Sequence, residues 1–350
     1  MEEREERWAF RDLLLSVGIA TDPVLLGIAY GGLMVAGGVY GFFFFLGSAV
    51  GGQGARNTFS VLGGIGFIVL LLLTAGVLAR IVVVRLIEGR RSTTGEIRDY
   101  VTRRAWTLLA IPACFAGIVL VALGGVATLE LLGRLPGLGP LIFGVTFTLA
   151  FLLSLVAVVA FIVHTLGGLL YPAMLATRTE GAMAAVGELL QLARQKGPHL
   201  LVYSLAILAA GCLSTLVIAL VVSLALAVTA SSAHSLMGEK FGWILSGLPS
   251  FFRPYLDVFG AAVGPVATAD VPWHFDLGGL LVGLSLLSIF AATLAYPFAL
   301  INSAGTLAYF ALTDEPLPET APEVEDPDEA ADDEESWGAA AGYDPGESEP

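Results

Sequence analysis

Charged side chains are scarce in this sequence. Asp, Glu, Lys and Arg together make up 14% of the 350 residues, whereas hydrophobic residues make up 56%, and the mean hydropathy is +0.81. A soluble domain cannot cover that much apolar surface with so few charges. The composition therefore excludes a soluble globular protein and indicates an integral membrane protein.

A basic surface is lacking as well. The formal net charge is -14, but residues 314–350 hold fifteen of the 31 acidic residues and no Lys or Arg. The sixteen acidic residues that remain nearly balance the seventeen basic residues of 1–313. The acidity thus belongs to the C-terminal tail, and the membrane body offers no basic face of the kind that binds nucleic acid.

Only two cysteines are present, Cys114 and Cys212, and both lie in apolar runs, where free cysteine behaves as a small apolar residue. No disulfide or metal framework is therefore predicted. The acids and histidines of 230–276 match no metal-ligand spacing, and the glycine-rich segments lack the Lys-Ser or Lys-Thr ending of a phosphate-binding loop. We predict no catalytic residue, no metal, no cofactor and no enzymatic activity.

Long apolar runs are abundant. A hydrocarbon core about 30 Å thick needs roughly 20 apolar residues of helix. Six segments meet this length, at approximately 24–48, 60–84, 106–132, 138–170, 199–229 and 277–300. We predict an all-α, polytopic transmembrane helical bundle of about six spans over residues 23–312, in contact with the lipid bilayer.

The two ends of the chain differ from this body. Residues 1–22 mix charges with Trp8, Phe10 and Leu13, which predicts an amphipathic N-terminal segment. Residues 313–350 are too charged and too poor in large apolar side chains to form a core, so we predict a disordered acidic tail.

Basic residues are distributed unevenly among the connections. Thirteen of the seventeen lie before span one, in the region from the end of span two to the start of span three, or between spans four and five, and four lie in the alternate connections. Because Lys and Arg accumulate in cytoplasmic loops, the three basic connections are predicted to be cytoplasmic. An even number of spans then puts both termini in the cytoplasm, as in a multi-pass protein of the cell (inner) membrane.

Two basic connections contain the Thr-x-x-Glu pattern of a capping box, at Thr93–Glu96 and Thr177–Glu180. Each predicts the start of a cytoplasmic helix. The second helix is amphipathic, is bounded by Gly197-Pro198, and is expected to lie at the membrane interface. The outer loop, 230–276, contains aromatic residues that favour the same position on the opposite side.

Spans four and six both run into the pattern Tyr-Pro-x-x-Leu, at Tyr171-Pro172 and Tyr296-Pro297. Each proline is predicted to kink or end its helix near the cytoplasmic interface. The pattern is consistent either with an internal repeat of helical hairpins or with chance. His164 is the clearest ionisable candidate within a span, either as a proton or ligand contact or as a neutral imidazole bonded to a neighbouring helix.

The connection Tyr171-Pro172-Ala173-Met174-Leu175, followed by a capped helix and span five, resembles the six-helix membrane domain fused to some bacterial glycerophosphodiester phosphodiesterases and its free-standing relatives. The resemblance covers residues 60–310 loosely. It implies a bacterial membrane module without the phosphodiesterase chemistry, because that chemistry belongs to a separate soluble domain, and no catalytic residue carries over.

Two functions fit these features. The first is a non-enzymatic scaffold or accessory subunit of a membrane complex, whose cytoplasmic helices and acidic tail contact other proteins. The second is a transporter or permease subunit, which kinked spans would suit and which requires polar residues that converge at the middle of the membrane.

Overall fold

The computed structural model describes residues 14–134, 138–177, 181–248 and 273–313, with the backbone alone for 139–142. The predicted tail after Thr313 and the first thirteen residues of the N-terminal segment lie outside this part. Within it, eight helices follow a short helical stretch at 14–20. They are α1 (Pro23–Val50), α2 (Gln53–Glu88), α3 (Thr94–Gly133), α4 (Gly139–Gly167), α5 (Tyr171–Thr177), α6 (Ala182–Met237), α7 (Glu239–Ser246) and α8 (Trp273–Thr313).

Six of these helices are long and apolar enough to cross a membrane, namely α1, α2, α3, α4, α6 and α8. The described part of the chain contains no strand. The predicted fold class, an all-α polytopic membrane bundle with six candidate spans, is confirmed. Most of the six helices are longer than the predicted spans because regular helix continues past the apolar run.

The first two spans form a tight helical hairpin. Asp22 caps α1, since its Oδ1 accepts a hydrogen bond of 2.7 Å from the backbone N–H of Val24, and Pro23 takes the first helical position. The turn into α2 uses Gly51 and Gly52, whose φ angles are +76° and +82°, a region that favours glycine. The packing of α1 along α2 follows from this short turn.

The third helix begins where the sequence predicts and continues into the membrane. Glu96 N–H donates to Thr93 Oγ1 at 3.3 Å, and Thr93 N–H donates to Glu96 Oε2 at 3.0 Å. This first capping box is confirmed. The helix does not end before the predicted span at 106–132, because residues 97–111 contain no glycine or proline. The cytoplasmic helix and the third span are therefore one helix of 40 residues.

The fourth span ends at Gly167, and a turn at 168–170 leads into α5. Six of the seven residues of α5 are buried. The broken helix leaves backbone carbonyls to be satisfied: the Leu166 oxygen accepts from Ser204 Oγ of α6 at 3.0 Å, and the Gly167 oxygen accepts from Leu170 N–H at 2.9 Å. The predicted fourth span, 138–170, is thus a membrane helix followed by a buried turn.

The prediction of a second capping box is wrong for its first residue, Thr177. Thr177 is the last residue of α5, and its hydroxyl donates to the carbonyl oxygen of Ala173 at 3.1 Å. The hydroxyl is therefore used at the C-terminus of one helix and does not cap the next. The other three residues of the box, 178–180, lie outside the described residues. The next helix, α6, has Gly181 at its N-cap and no side-chain cap.

The predicted amphipathic helix and the fifth span together form α6. The backbone at Lys196 departs from helical geometry (φ -122°, ψ 29°), two residues before Pro198, which confirms the predicted boundary. The apolar face of the first half is buried in the protein, where Ala185, Val186, Leu189 and Leu192 pack in the same cluster as Tyr171. This face therefore contacts the bundle itself.

At the end of the bundle away from α5, the short helix α7 packs on the start of α8. A Cβ atom placed on Gly279 would lie 2.4 Å from the carbonyl carbon of Gly247, so the two backbones touch at a point where neither residue has a side chain. Trp243 and Phe275 form an edge-on ring pair with centroids 5.2 Å apart. The described residues of the predicted outer loop, 230–248 and 273–276, are thus largely helical, and residues 249–272 lie outside the described part.

The last helix, α8, passes through two environments. Its first part packs along α1 and α7, whereas nearly every residue from 299 to 312 is buried. Pro297 lies inside α8, which continues through it to Thr313, so the helix does not end near 300 as the predicted span does. Small residues permit this burial: a Cβ atom on Gly305 would lie 2.4 Å from the carbonyl oxygen of Leu169.

Candidate functional site

Charged residues gather at one end of the bundle, which we call the basic end. It comprises the end of α2, the start of α3, all of α5, the first half of α6 and the last turns of α8. It carries both of the features that bear on function: the pair His164 and Tyr171, and a polar cavity beside α5.

His164 is near the end of α4, and the structure brings it against Tyr171, a second residue predicted from the sequence. His164 Nδ1 lies 2.8 Å from the hydroxyl oxygen of Tyr171. The Phe115 ring stacks on Tyr171 with centroids 6.2 Å apart and lies 5.6 Å from the imidazole. Tyr171 is 2% exposed. The histidine thus joins the end of α4 to the helix that follows it, which favours the second of the two interpretations of His164.

The two Tyr-Pro pairs lie in different surroundings. Tyr171 belongs to an apolar cluster built from α3, α4, α5, α6 and α8, while Tyr296 packs in a separate cluster with residues of α1 and α2. Pro172 is the second residue of a short helix after a turn, whereas Pro297 is inside a continuous helix. The four residues therefore do not form one site, and the hypothesis of an internal repeat gains no support from them.

A cavity of about 310 Å³ lies between the ends of α2 and α5 and the start of α3. Three guanidinium groups and two carboxylates line it, together with one phenol hydroxyl and the end of α5. The lining residues are Arg80, Glu96, Asp99, Tyr100, Arg103, Arg104, Leu175, Ala176 and Thr177.

The guanidinium of Arg80 lines this cavity and is held there by two contacts. Its Nη1 donates to the carbonyl oxygen of Ala176 at 3.0 Å, near the end of α5, and its Nη2 lies 3.9 Å from Glu88 Oε1. Five residues further along α2, Arg85 pairs with Asp22, the residue that caps α1. Both arginines thus bind groups of the protein at the basic end.

The carboxylates of the cavity are neutralised by neighbouring arginines. Arg90 donates two hydrogen bonds to Glu96, of 3.0 and 2.7 Å, and Arg103 donates to Asp99 at 2.8 Å. The hydrogen bonds that Arg90 donates to Glu96 and then to Glu88 raise the pKa of its guanidinium, which keeps it charged. Because the acids are held in this way, the electrostatic potential of the cavity is set largely by its arginines.

Tyr100 is the polar group of the cavity whose bonding is incomplete. Its hydroxyl oxygen is inaccessible to solvent and has no hydrogen-bond partner within the described part of the chain. Arg104 and Arg80 both act electrostatically on this hydroxyl. The ring packs over α2 at Gly76, where a Cβ atom would lie 3.6 Å from the hydroxyl oxygen.

The sequence alone does not predict this cavity. Its arginines indicate only the orientation of the chain, and no motif marks Tyr100. A signal is present on α3, where Glu96, Tyr100 and Arg104 recur every four residues and therefore share one face of the helix. The sequence carries no signal for the part of the cavity that α5 lines, because no local pattern indicates that a seven-residue helix folds back beside α3.

No group of three His, Cys, Asp or Glu side chains in the described residues is arranged to hold a metal ion. Comparison with family models, with curated proteins and with solved structures gives no significant match. The resemblance to the membrane domain of glycerophosphodiester phosphodiesterases therefore stays a prediction.

Proposed function

We propose that this protein is a non-enzymatic scaffold or accessory subunit of a membrane complex, and that its basic end is the contact surface. The observation that carries the proposal is the way in which polar groups inside the spans are used. Several hydroxyl groups there bond to the backbone of their own helix four residues earlier, as in Thr74 to Leu70 O, Ser154 to Ala150 O, Thr215 to Gly211 O and Thr293 to Ile289 O, at distances of 2.7–3.0 Å.

The polar contacts that connect spans serve packing in the same way. Tyr30 Oη lies 2.8 Å from Ser288 Oγ, Ser204 bonds to Leu166 O, and Nδ1 of His164 pairs with the Tyr171 hydroxyl. A transporter or permease subunit, the alternative function, would call for polar groups that converge around a substrate at the middle of the membrane. Their use in intrahelical and packing contacts favours the scaffold.

The basic end offers exposed polar groups for protein contacts. On α3, Arg103 and Asp99 have side chains 76% and 58% exposed, and on α6 the residues Gln191 and Arg194 are exposed. The acidic segment 314–350 leaves the same end, directly after Thr313. We propose that this end faces the cytoplasm of a bacterium and that the membrane is the inner membrane, because nine basic residues of the described part of the chain belong to it.

A copurification experiment tests the scaffold proposal. The tagged full chain is isolated from native membranes in mild detergent and compared with a form that ends at Thr313 and with a form whose fifteen tail acids are replaced by Asn and Gln. We expect a partner in stoichiometric amount with the full chain and its loss from both altered forms. The third form is the matched control for tail length, because it keeps the segment and removes only the charge.

Two results would contradict the proposal. One is a full chain that elutes alone from native membranes after chemical crosslinking. The other is solute flux across vesicles that contain the purified chain and no partner, which would establish the transport function instead.

A further inference from the structure

Exposed positive charge lies on both sides of the point where α8 ends. We propose that the acidic segment 323–335 docks on the basic end of its own molecule, on a face that carries Arg91, Arg98 and Arg194. This inference goes beyond the scaffold proposal and does not depend on it, because it concerns the chain without any partner.

The first argument is that these three guanidinium groups are open to a ligand. Other arginines of the basic end are paired with carboxylates, as are Arg85, Arg90 and Arg103. The three arginines of the proposed face are exposed, and their guanidinium groups form no ion pair or hydrogen bond within the described part of the chain. That part of the basic end holds nine basic and four acidic residues, so its surplus positive charge is on the surface.

The second argument is the place where α8 ends. Phe310, in the last turn of α8, packs against Ala176, and Ala176 also lines the cavity at the start of α3. The Tyr309 hydroxyl donates to Glu188 Oε1 of α6 at 3.1 Å, and Arg194 follows about 9 Å further along that helix. The end of α8 therefore lies between the start of α3 and the first half of α6, the helices that carry two of the three arginines.

The third argument is the charge and the reach of the acidic segment. Nine of the thirteen residues of 323–335 are Asp or Glu, and no Lys or Arg occurs anywhere in 314–350. Only the nine residues 314–322 separate the segment from Thr313, and a chain of that length extends to about 30 Å. The carboxylates can therefore reach arginines on either side of the end of α8.

The covalent link decides which acidic group occupies the face. A single exposed ion pair contributes little, but a short tether holds the segment at a local concentration of about 1 mM. A contact with a Kd of about 100 µM in separate molecules would then be about 90% formed. Two other occupants have suitable charge, namely anionic lipid headgroups and the tail of a second copy, and neither has this advantage.

The experiment measures the distance between two spin labels in the full chain, purified in a neutral detergent. Cys114 and Cys212 are replaced by alanine, and the labels are attached at Ser336→Cys, directly after the acidic segment, and at Gln195→Cys, an exposed position of α6 next to Arg194. We expect most molecules to show one short distance at low ionic strength. Without docking, the label at 336 would be about 26 Å from the end of α8 on average, with a broad distribution.

Neutralising the segment gives a result of opposite sign for the two cases. In this variant the nine acidic residues of 323–335 are replaced by Asn and Gln. Because charged linkers repel themselves and extend, an undocked tail would bring the two labels closer when its charge is removed. If the tail is docked, the same change should lengthen the mean distance, and so should 1 M salt, which screens exposed charges.

Two triple variants decide whether the proposed face is responsible. Arg91→Gln, Arg98→Gln and Arg194→Gln together should lower the ratio of docked to undocked molecules about tenfold, the usual size of three exposed ion pairs. These side chains have no ion-pair partner in the described residues, so the fold does not depend on them.

The matched control combines Arg56→Gln, Arg134→Gln and Lys240→Gln. It removes three exposed positive charges that lie outside the basic end, so the net charge of the chain changes by the same amount. We expect the ratio of docked to undocked molecules to stay within about twofold of the original value.

Four results overturn the proposal. The first is absence of the short distance in detergent, where no anionic lipid competes for the arginines. The second is a mean distance that the neutral segment leaves unchanged or shortens. The third is an equal effect of the two triple variants, since net charge would then account for the contact. The fourth is a short distance between labels on separate chains in a mixture of two singly labelled forms, which would make a second copy the occupant.

Discussion

Gly305 is the position where α8 comes very close to the turn before α5, and its replacement by alanine tests the packing of the buried end of that helix. The added Cβ would lie 2.4 Å from the carbonyl oxygen of Leu169, about 1 Å inside an ordinary contact distance. The obstacle is a backbone atom, so no side-chain rotation relieves it. Overpacking of this kind costs about 1–3 kcal/mol, against which alanine regains about 0.5–1 kcal/mol of helix propensity.

We therefore expect Gly305→Ala to lower the free energy of unfolding by about 1–2 kcal/mol. Gly124→Ala is the matched control, because Gly124 is an exposed helical glycine whose added Cβ would have no neighbouring atom within 4 Å, and it should be neutral or slightly stabilising. The measurement is reversible unfolding by SDS in mixed micelles. Equal effects of the two substitutions would refute the close contact between α8 and the turn at Leu169.

Two further predictions concern polar contacts between segments. Asp22→Asn keeps an oxygen that caps α1 but loses the charge that pairs with Arg85, so we expect the free energy of unfolding to fall by about 1 kcal/mol in the same measurement. Asp22→Ala removes the cap as well and should lower it by about 1 kcal/mol more. Identical values for the two variants would contradict separate contributions from the cap and the ion pair. Tyr171→Phe removes the bond to His164 and should lower the free energy of unfolding by about 1 kcal/mol, whereas an unchanged value would show that the bond does not hold α4 to α5.

The features that were predicted correctly are those decided by neighbouring residues. The capping box of Thr93 and Glu96 forms because both partners lie three residues apart, and Asp22-Pro23 begins α1 for the same reason. The kink near Pro198 follows from the ring that prevents a regular helix. The six apolar helices follow from length and hydropathy alone.

The features that were missed depend on contacts between distant segments. Asp22 and Arg85 are 63 residues apart, and no local pattern pairs them. Thr177 satisfies the capping pattern in sequence, yet its hydroxyl bonds back to the helix that precedes it. The burial of residues 299–312 could not be predicted for another reason. An apolar residue in a membrane protein faces either lipid or protein, and the amino-acid composition of a segment is the same in both cases.

The burial of residues 299–312 constrains the order in which the protein assembles. These residues are the last of the described helices to be synthesised, yet they fill the space between α5, α6 and the end of α2. Leu169, in the turn before α5, and Ile207, in α6, both pack against residues of this segment. They lack these neighbours until the segment has been synthesised. The packing of the first five spans against this segment can therefore be completed only after the sixth span has been synthesised.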